Sequence, residues 1–200
     1  MKNVGIRFVL AALAIVALAT VGLVVRADDE EEGTILRAKL TGFQEVPAKF
    51  TAGSGTFRAT LSPDGTSLTY TLAWSNLTAA PLFAHIHIGQ PAVNGAVMVF
   101  LCNDPNTPRT KPNCDGATST VTGTIRAADI GKPESGAAAQ GINPGDFAGF
   151  LAVVRGHVSY ANVHTPKFPG GEIRGIVRVE DTTEREQQPE SNNSEKLERH

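Results

Sequence analysis

His85 and His87 stand two residues apart in the run Ala84-His85-Ile86-His87-Ile88-Gly89. In an extended strand, residues two apart project from one face, so Ile86 and Ile88 take the other. The two imidazoles then lie about 7 Å apart at their Cα atoms, close enough to share one metal ion. The same pair could instead donate hydrogen bonds within a structural network at a sheet edge. A third imidazole bears on that choice. His164 ends the run Tyr160-Ala161-Asn162-Val163-His164, where it shares a strand face with Tyr160 and Asn162. His157 is an odd number of residues earlier, so an unbroken strand turns it the other way, and only a bulge beside Gly156 would bring it back. His85, His87 and His164 are therefore the candidate ligands. Neutral imidazoles suit zinc, copper, iron or nickel, and the Irving–Williams order favours copper, so copper or zinc is the expected cofactor.

Glu172 and Arg174 are also two apart and share a face if their segment is a strand. As a carboxylate–guanidinium pair they could orient an imidazole, with Asn162 as a further outer hydrogen bonder. Equally, they could form an ion pair tying the last strand to the 160–165 loop, with Asn162 and Thr165 fixing that loop. Phe43, Glu45 and Pro47 make an exposed-looking turn that could meet a partner. No nucleophile constellation accompanies these residues: there is no G-x-S-x-G and no glycine-rich phosphate loop.

Short strands must position the histidines. Extended segments are expected at 34–40, 55–61, 67–74, 84–88, 96–101, 119–126, 157–164 and 172–180. Leu68, Tyr70, Leu72 and Trp74 alternate with Thr69, Thr71 and Ala73, which is the pattern of a half-buried strand. Turn signals at Pro63-Asp64-Gly65, between Gly89 and Gly95, and at Pro169-Gly170-Gly171 separate the runs. This predicts an all-β fold, an antiparallel Greek-key-like β-sandwich. One short helix is expected over 144–155. Asn143 would be its N-cap, Pro144 its first residue and Gly156 its stop, with Phe147, Phe150, Leu151 and Val154 at helical spacing. Residues 131–142 read as a flexible loop, 28–33 as an acidic linker and 181–200 as a disordered tail.

The N-terminus reads as a secretion signal over residues 1–27. Lys2 and Arg7 precede a charge-free run from Phe8 to Val25, and Val25-Arg26-Ala27 supplies the small residues of a cleavage site. Removing it leaves 15 Lys and Arg against 20 Asp and Glu, a net charge of −5. That balance argues against nucleic acid and against anionic membrane surfaces as partners. No second apolar run approaches spanning length. A secreted or periplasmic location makes Cys102 and Cys114 a disulfide across a Pro/Asn-rich loop. The expected partner is an extracytoplasmic protein or a metal ion.

Three stretches resemble the CHRD (chordin-type) domain family: Thr-Gly-Phe-Gln-Glu-Val-Pro at 41–47, Ala-His-Ile-His-Ile-Gly at 84–89, and Tyr-Ala-Asn-Val-His-Thr-Pro-Lys-Phe-Pro-Gly-Gly-Glu-Ile-Arg-Gly at 160–175. With the strands between them the likeness spans residues 34–180, and it implies an exported binding module. The chain lacks chordin's cysteine-rich modules, so chordin's role in growth-factor antagonism does not carry over. A weaker likeness is to copper-zinc superoxide dismutase. His85-Ile86-His87 resembles that family's first copper strand, Val163-His164 its later copper ligand, and Gly171-Glu172-Ile173-Arg174 its arginine element. The histidine that bridges the two metals there has no counterpart here, and the zinc ligands are missing. The likeness therefore implies a shared sandwich and a single metal. Two alternatives stay open beside the binding module: a copper-dependent oxidoreductase of that type, and an interaction module whose histidines are structural.

The exported protein is expected to begin at Asp28, as intact-mass measurement would show; a membrane-retained chain beginning at Met1 would instead mark the segment as an anchor.

Overall fold

The computed structural model describes residues 34–104 and 111–180. The expected signal segment, acidic linker and tail lie outside the described residues. Among the described residues there are nine strands: β1 (Ile35–Thr41), β2 (Ser54–Leu61), β3 (Ser67–Ser75), β4 (Phe83–Ile88), β5 (Val97–Cys102), β6 (Ser119–Arg126), β7 (Ser159–His164), β8 (Ile173–Ile176) and β9 (Arg178–Val179). The α-helix among them, α1 (Phe147–Arg155), precedes β7.

All named strand pairs are antiparallel, in the order β5-β4-β7-β8-β1-β2-β3-β6 with β9 on β1. Neighbours such as β4 with β7 and β8 with β1 are distant in sequence, as Greek-key connections require. The sheet curls until it is nearly closed: the Tyr70 hydroxyl of β3 donates to the Leu101 carbonyl of β5, near the two ends of the strand order. The antiparallel all-β expectation with one short helix holds.

β3 shows why alternation predicts a strand. Leu68, Tyr70, Leu72 and Trp74 are buried, while Thr69 and Thr71 face solvent. Each large side chain removed from water contributes about 1.5–3 kcal/mol, so a one-residue slip in register would forfeit the whole row. β7 differs, because every residue from Ser159 to His164 is buried. Ala161 and Val163 complete the core on one face, and Tyr160, Asn162 and His164 lie under loops on the other.

Four local expectations are corrected. The helix starts at Phe147 rather than 144, and its N-cap is Asp146, whose Oδ1 accepts the Gly149 N–H at 2.7 Å. Gly145 is left-handed at φ 82°, which breaks a helix started at Pro144. At the other end Gly156 stays right-handed, and His157 takes the left-handed position at φ 57°. β7 therefore begins at Ser159, not His157. The loop 131–142 is ordered as two short 3-10 turns, Pro133–Ser135 and Ala137–Gln140. Ala137 and Ile142 anchor it in the core, and Gly136 bridges Val97 along the outer edge of β5. This covers an edge that would otherwise offer free backbone groups. Finally, the last strand is divided. The buried Val177 gives its N–H to Ser159 O, which separates the stretch paired with β7 from the two residues paired with β1.

Cys102 and Cys114 are joined by a disulfide, with Cα atoms 5.5 Å apart. Lys111 secures the same loop, its Nζ lying 3.1 Å from Asp129 and donating to Thr124 O at 3.0 Å. No helix among the described residues is long and apolar enough to cross a membrane.

Alkylation without reductant should leave both cysteines unlabelled. Reduction should lower unfolding stability by about 2–3 kcal/mol, from loop-closure entropy; denaturant titration with and without reductant measures the difference.

Candidate metal centre

β4 presents His85 and His87 to one face, and β7 lies beside it in unbroken register: Phe83 opposite His164, His85 opposite Asn162, His87 opposite Tyr160. Side chains opposite or diagonal across an antiparallel pair come within reach of one another. His164 is therefore the diagonal neighbour of His85. Their ring centroids lie 4.4 Å apart, and those of His85 and His87 4.3 Å apart. On its other side β4 slips register against β5 twice, flanking His85 and His87, as bulges that re-aim side chains do.

One ring nitrogen from each histidine lies within 4.8 Å of the other two. Donors on a single ion, with bonds of about 2 Å, sit roughly 3–4 Å apart, so an ion would draw the rings inward by about an ångström. Hydrogen bonds decide which nitrogens are free. His87 Nδ1 donates to Gly95 O at 2.8 Å and His164 Nδ1 donates to Pro169 O at 2.9 Å, since a carbonyl can only accept. Both rings are thereby held with a lone pair on Nε2. These two Nε2 atoms and His85 Nδ1 are buried and have no hydrogen-bond partner.

Burial holds the His85 imidazole well below its usual range, with the neighbouring His87 and His164 pushing the same way. His87 is lowered to about 4, by burial first and by the charges of His164 and Arg174 after it, against the Gly95 hydrogen bond. His164 is lowered by burial, against its bond to Pro169. All three are neutral at neutral pH, the form that ligates metals.

The outer residues divide. Arg174 is buried; it donates to Asn94 Oδ1 at 3.1 Å, Gln90 O at 3.2 Å and Val93 O at 2.8 Å. Its guanidinium also lies 3.4 Å from the Tyr160 ring centroid, and Tyr160 stacks on His87 at 4.5 Å. Arg174 thus reaches His87 through Tyr160 and through the 89–95 loop, whose Gly95 carbonyl holds the ring. Asn162 touches no imidazole nitrogen; it donates to Glu45 Oε1 at 2.6 Å and to Ile173 O at 3.3 Å. Glu172 does not pair with Arg174. Its carboxylate accepts from Thr51 at 2.7 Å, Thr78 at 2.7 Å and Thr165 at 2.6 Å. Burial alone would raise that carboxyl, but the hydroxyl bonds from Thr165, Thr51 and Thr78 outweigh it and hold it below the usual range.

The profile of the CHRD domain matches residues 36–177. The chain belongs to the CHRD domain family. No curated protein matches it.

Within the CHRD domain, sequence reasoning passed over two contributors. Glu45, taken as part of an exposed turn, is buried against Asn162, and burial pushes its carboxyl up to about 7 despite Arg174 and the Asn162 bond. Phe43 and Pro47 in the same turn are exposed, as read. Tyr160 was noted only as a face-sharing neighbour of His164. Its even spacing from His164 was the available signal; its stacking on His87 depends on the β4–β7 register.

Protonation links this face to stability, with opposite signs for the two residue types. The His87 pKa falls from 6.5 unfolded to about 4 folded, so the unfolded chain takes up the proton first. Metal-free CHRD domain should therefore lose stability as pH falls from about 6.5 toward 4, at up to ~1.4 kcal/mol per pH unit for each such histidine. Glu45 is raised from 4.5 to about 7, so its contribution is lost as pH rises through that window. Glu45→Gln should match wild type below pH 4.5 and exceed it above pH 7, by up to about 3 kcal/mol; thermal melts across pH 4–8 in chelator measure both.

Proposed function

We propose that this chain is an extracytoplasmic binding module whose CHRD domain holds one copper or zinc ion on His85, His87 and His164. The observation that carries this is that each of the three histidines brings a ring nitrogen within 4.8 Å of the other two, and each has a buried ring nitrogen lacking any hydrogen-bond partner. A buried polar atom left unsatisfied costs about 1–3 kcal/mol, and three at one point is a large penalty for a purely structural cluster. Ligation of one ion satisfies all three at once. The donor chemistry agrees, because the rings are neutral and two have their remaining nitrogen fixed by a backbone carbonyl, the usual support of a metal-bound histidine. The disulfide supports a location outside the cytoplasm.

In this reading Arg174 is a positioning residue for His87, Asn162 fixes Glu45 beneath the same roof, and Glu172 secures the loop that carries Pro169. Chelator-stripped protein should take up one equivalent of copper or zinc. A variant carrying His85→Ala, His87→Ala and His164→Ala should take up none while keeping its β-rich circular dichroism. Arg174→Met should weaken uptake about 10–100-fold. Elemental analysis after equilibrium dialysis is the measurement, and equal uptake by wild type and the triple variant would leave the histidines a structural role only.

A further inference from the structure

We propose that the three-histidine centre selects monovalent copper over divalent ions, an inference that rests on the metal-binding reading above. Charge is the first argument. The cluster of ligand-type atoms among the described residues consists of three neutral imidazoles and no carboxylate. Glu45 and Glu172 are committed elsewhere, the one to Asn162 and the other to three threonines. A cation also stands nearby, since the Arg174 guanidinium lies 3.4 Å from the centroid of the Tyr160 ring that stacks on His87.

The walls are the second argument. Phe83 packs 5.4 Å from His85 and 4.7 Å from His164, Phe100 meets His85 edge-on at 5.2 Å, and Tyr160 covers His87. Taking an ion from water into such surroundings costs a Born energy that scales with the square of its charge, about four times more for a divalent ion. Sites that hold zinc usually offset this with an anionic ligand, or complete a tetrahedron with water. Here the three donors are 3–9 % exposed, and no anion joins them. A monovalent d¹⁰ ion is satisfied by three nitrogen donors in a plane and brings half the charge.

The test is a competition titration of chelator-stripped full-length exported protein. Cu(I) is supplied anaerobically with ascorbate against a chromogenic Cu(I) chelator, and Zn(II) and Cu(II) are each titrated against their own indicators. One equivalent of Cu(I) should bind at least about 100-fold more tightly than Zn(II), in line with a ligand set chosen by charge and geometry. X-ray absorption should report three nitrogen donors at about 2 Å and no sulfur. Zn(II) or Cu(II) binding as tightly as Cu(I) on the same histidines would overturn the selectivity and leave the metal site standing. Failure of all three ions to bind would overturn both.

Discussion

β7 has no face open to solvent, and the arrangement around the histidines follows from that constraint. On the core side its small and branched residues, Ala161 and Val163, allow close packing. On the other side Tyr160, Asn162 and His164 are polar, so burying them demands partners. The covering segments supply most of these. The Tyr160 hydroxyl accepts from the Gly95 N–H at 3.2 Å, Asn162 donates to Glu45, and His164 donates to Pro169. Three loops are thus held down by the strand they cover. Among the buried side-chain atoms of this face, those left without a partner are one nitrogen of each of three imidazoles, and the three rings are neighbours.

Arg174 shows how a buried charge organises a loop. It is 1 % exposed and forms no salt bridge with a described residue within reach, so its hydrogen bonds must do the work of solvation. Three acceptors from residues 90–94 and the face of Tyr160 provide them. A cation over an aromatic ring away from water contributes up to about 2 kcal/mol, and charged hydrogen bonds about 1.5–3 kcal/mol each. Lysine could not reproduce this, because the planar fork both stacks and reaches three acceptors. The loop between β4 and β5 is consequently tied down on both sides of the Gly95 carbonyl that meets His87.

Much of this architecture was legible in residue order. Alternation in β3 and the even spacing of His85 with His87, and of Tyr160, Asn162 and His164, correctly assigned faces, because side-chain direction in a strand depends only on local geometry. What could not be read was which strands would lie side by side. The meeting of His164 with His85 rests on Phe83 standing opposite His164, a register fixed by tertiary packing across 81 residues. The pairing of Glu172 with Arg174 does not form for the same kind of reason: Glu172 precedes β8, and each side chain has partners far along the chain. The loop at 131–142 was misjudged on composition, since Gly, Pro and Ala read as freedom until Ala137 and Ile142 are seen in the core.

The stretch from Gly171 to Arg174 ties these observations together. Gly171 is left-handed at φ 122°, and a Cβ there would sit 2.6 Å from Glu45 Oε1 and 2.7 Å from Asn162 Nδ2, so only glycine lets that buried pair form. Glu172 turns away from the histidines to bind Thr165, and the Thr165 carbonyl accepts from Phe168 N–H at 3.0 Å. That closes the short turn whose Pro169 carbonyl holds His164 Nδ1. Arg174, two residues on, fixes the loop whose Gly95 carbonyl holds His87 Nδ1. The two acceptors that decide where the imidazole lone pairs point are therefore governed from one short segment, by an anion acting through hydroxyls and a cation acting through carbonyls. Neither side chain needs to touch an imidazole nitrogen to set which way the His87 and His164 lone pairs point.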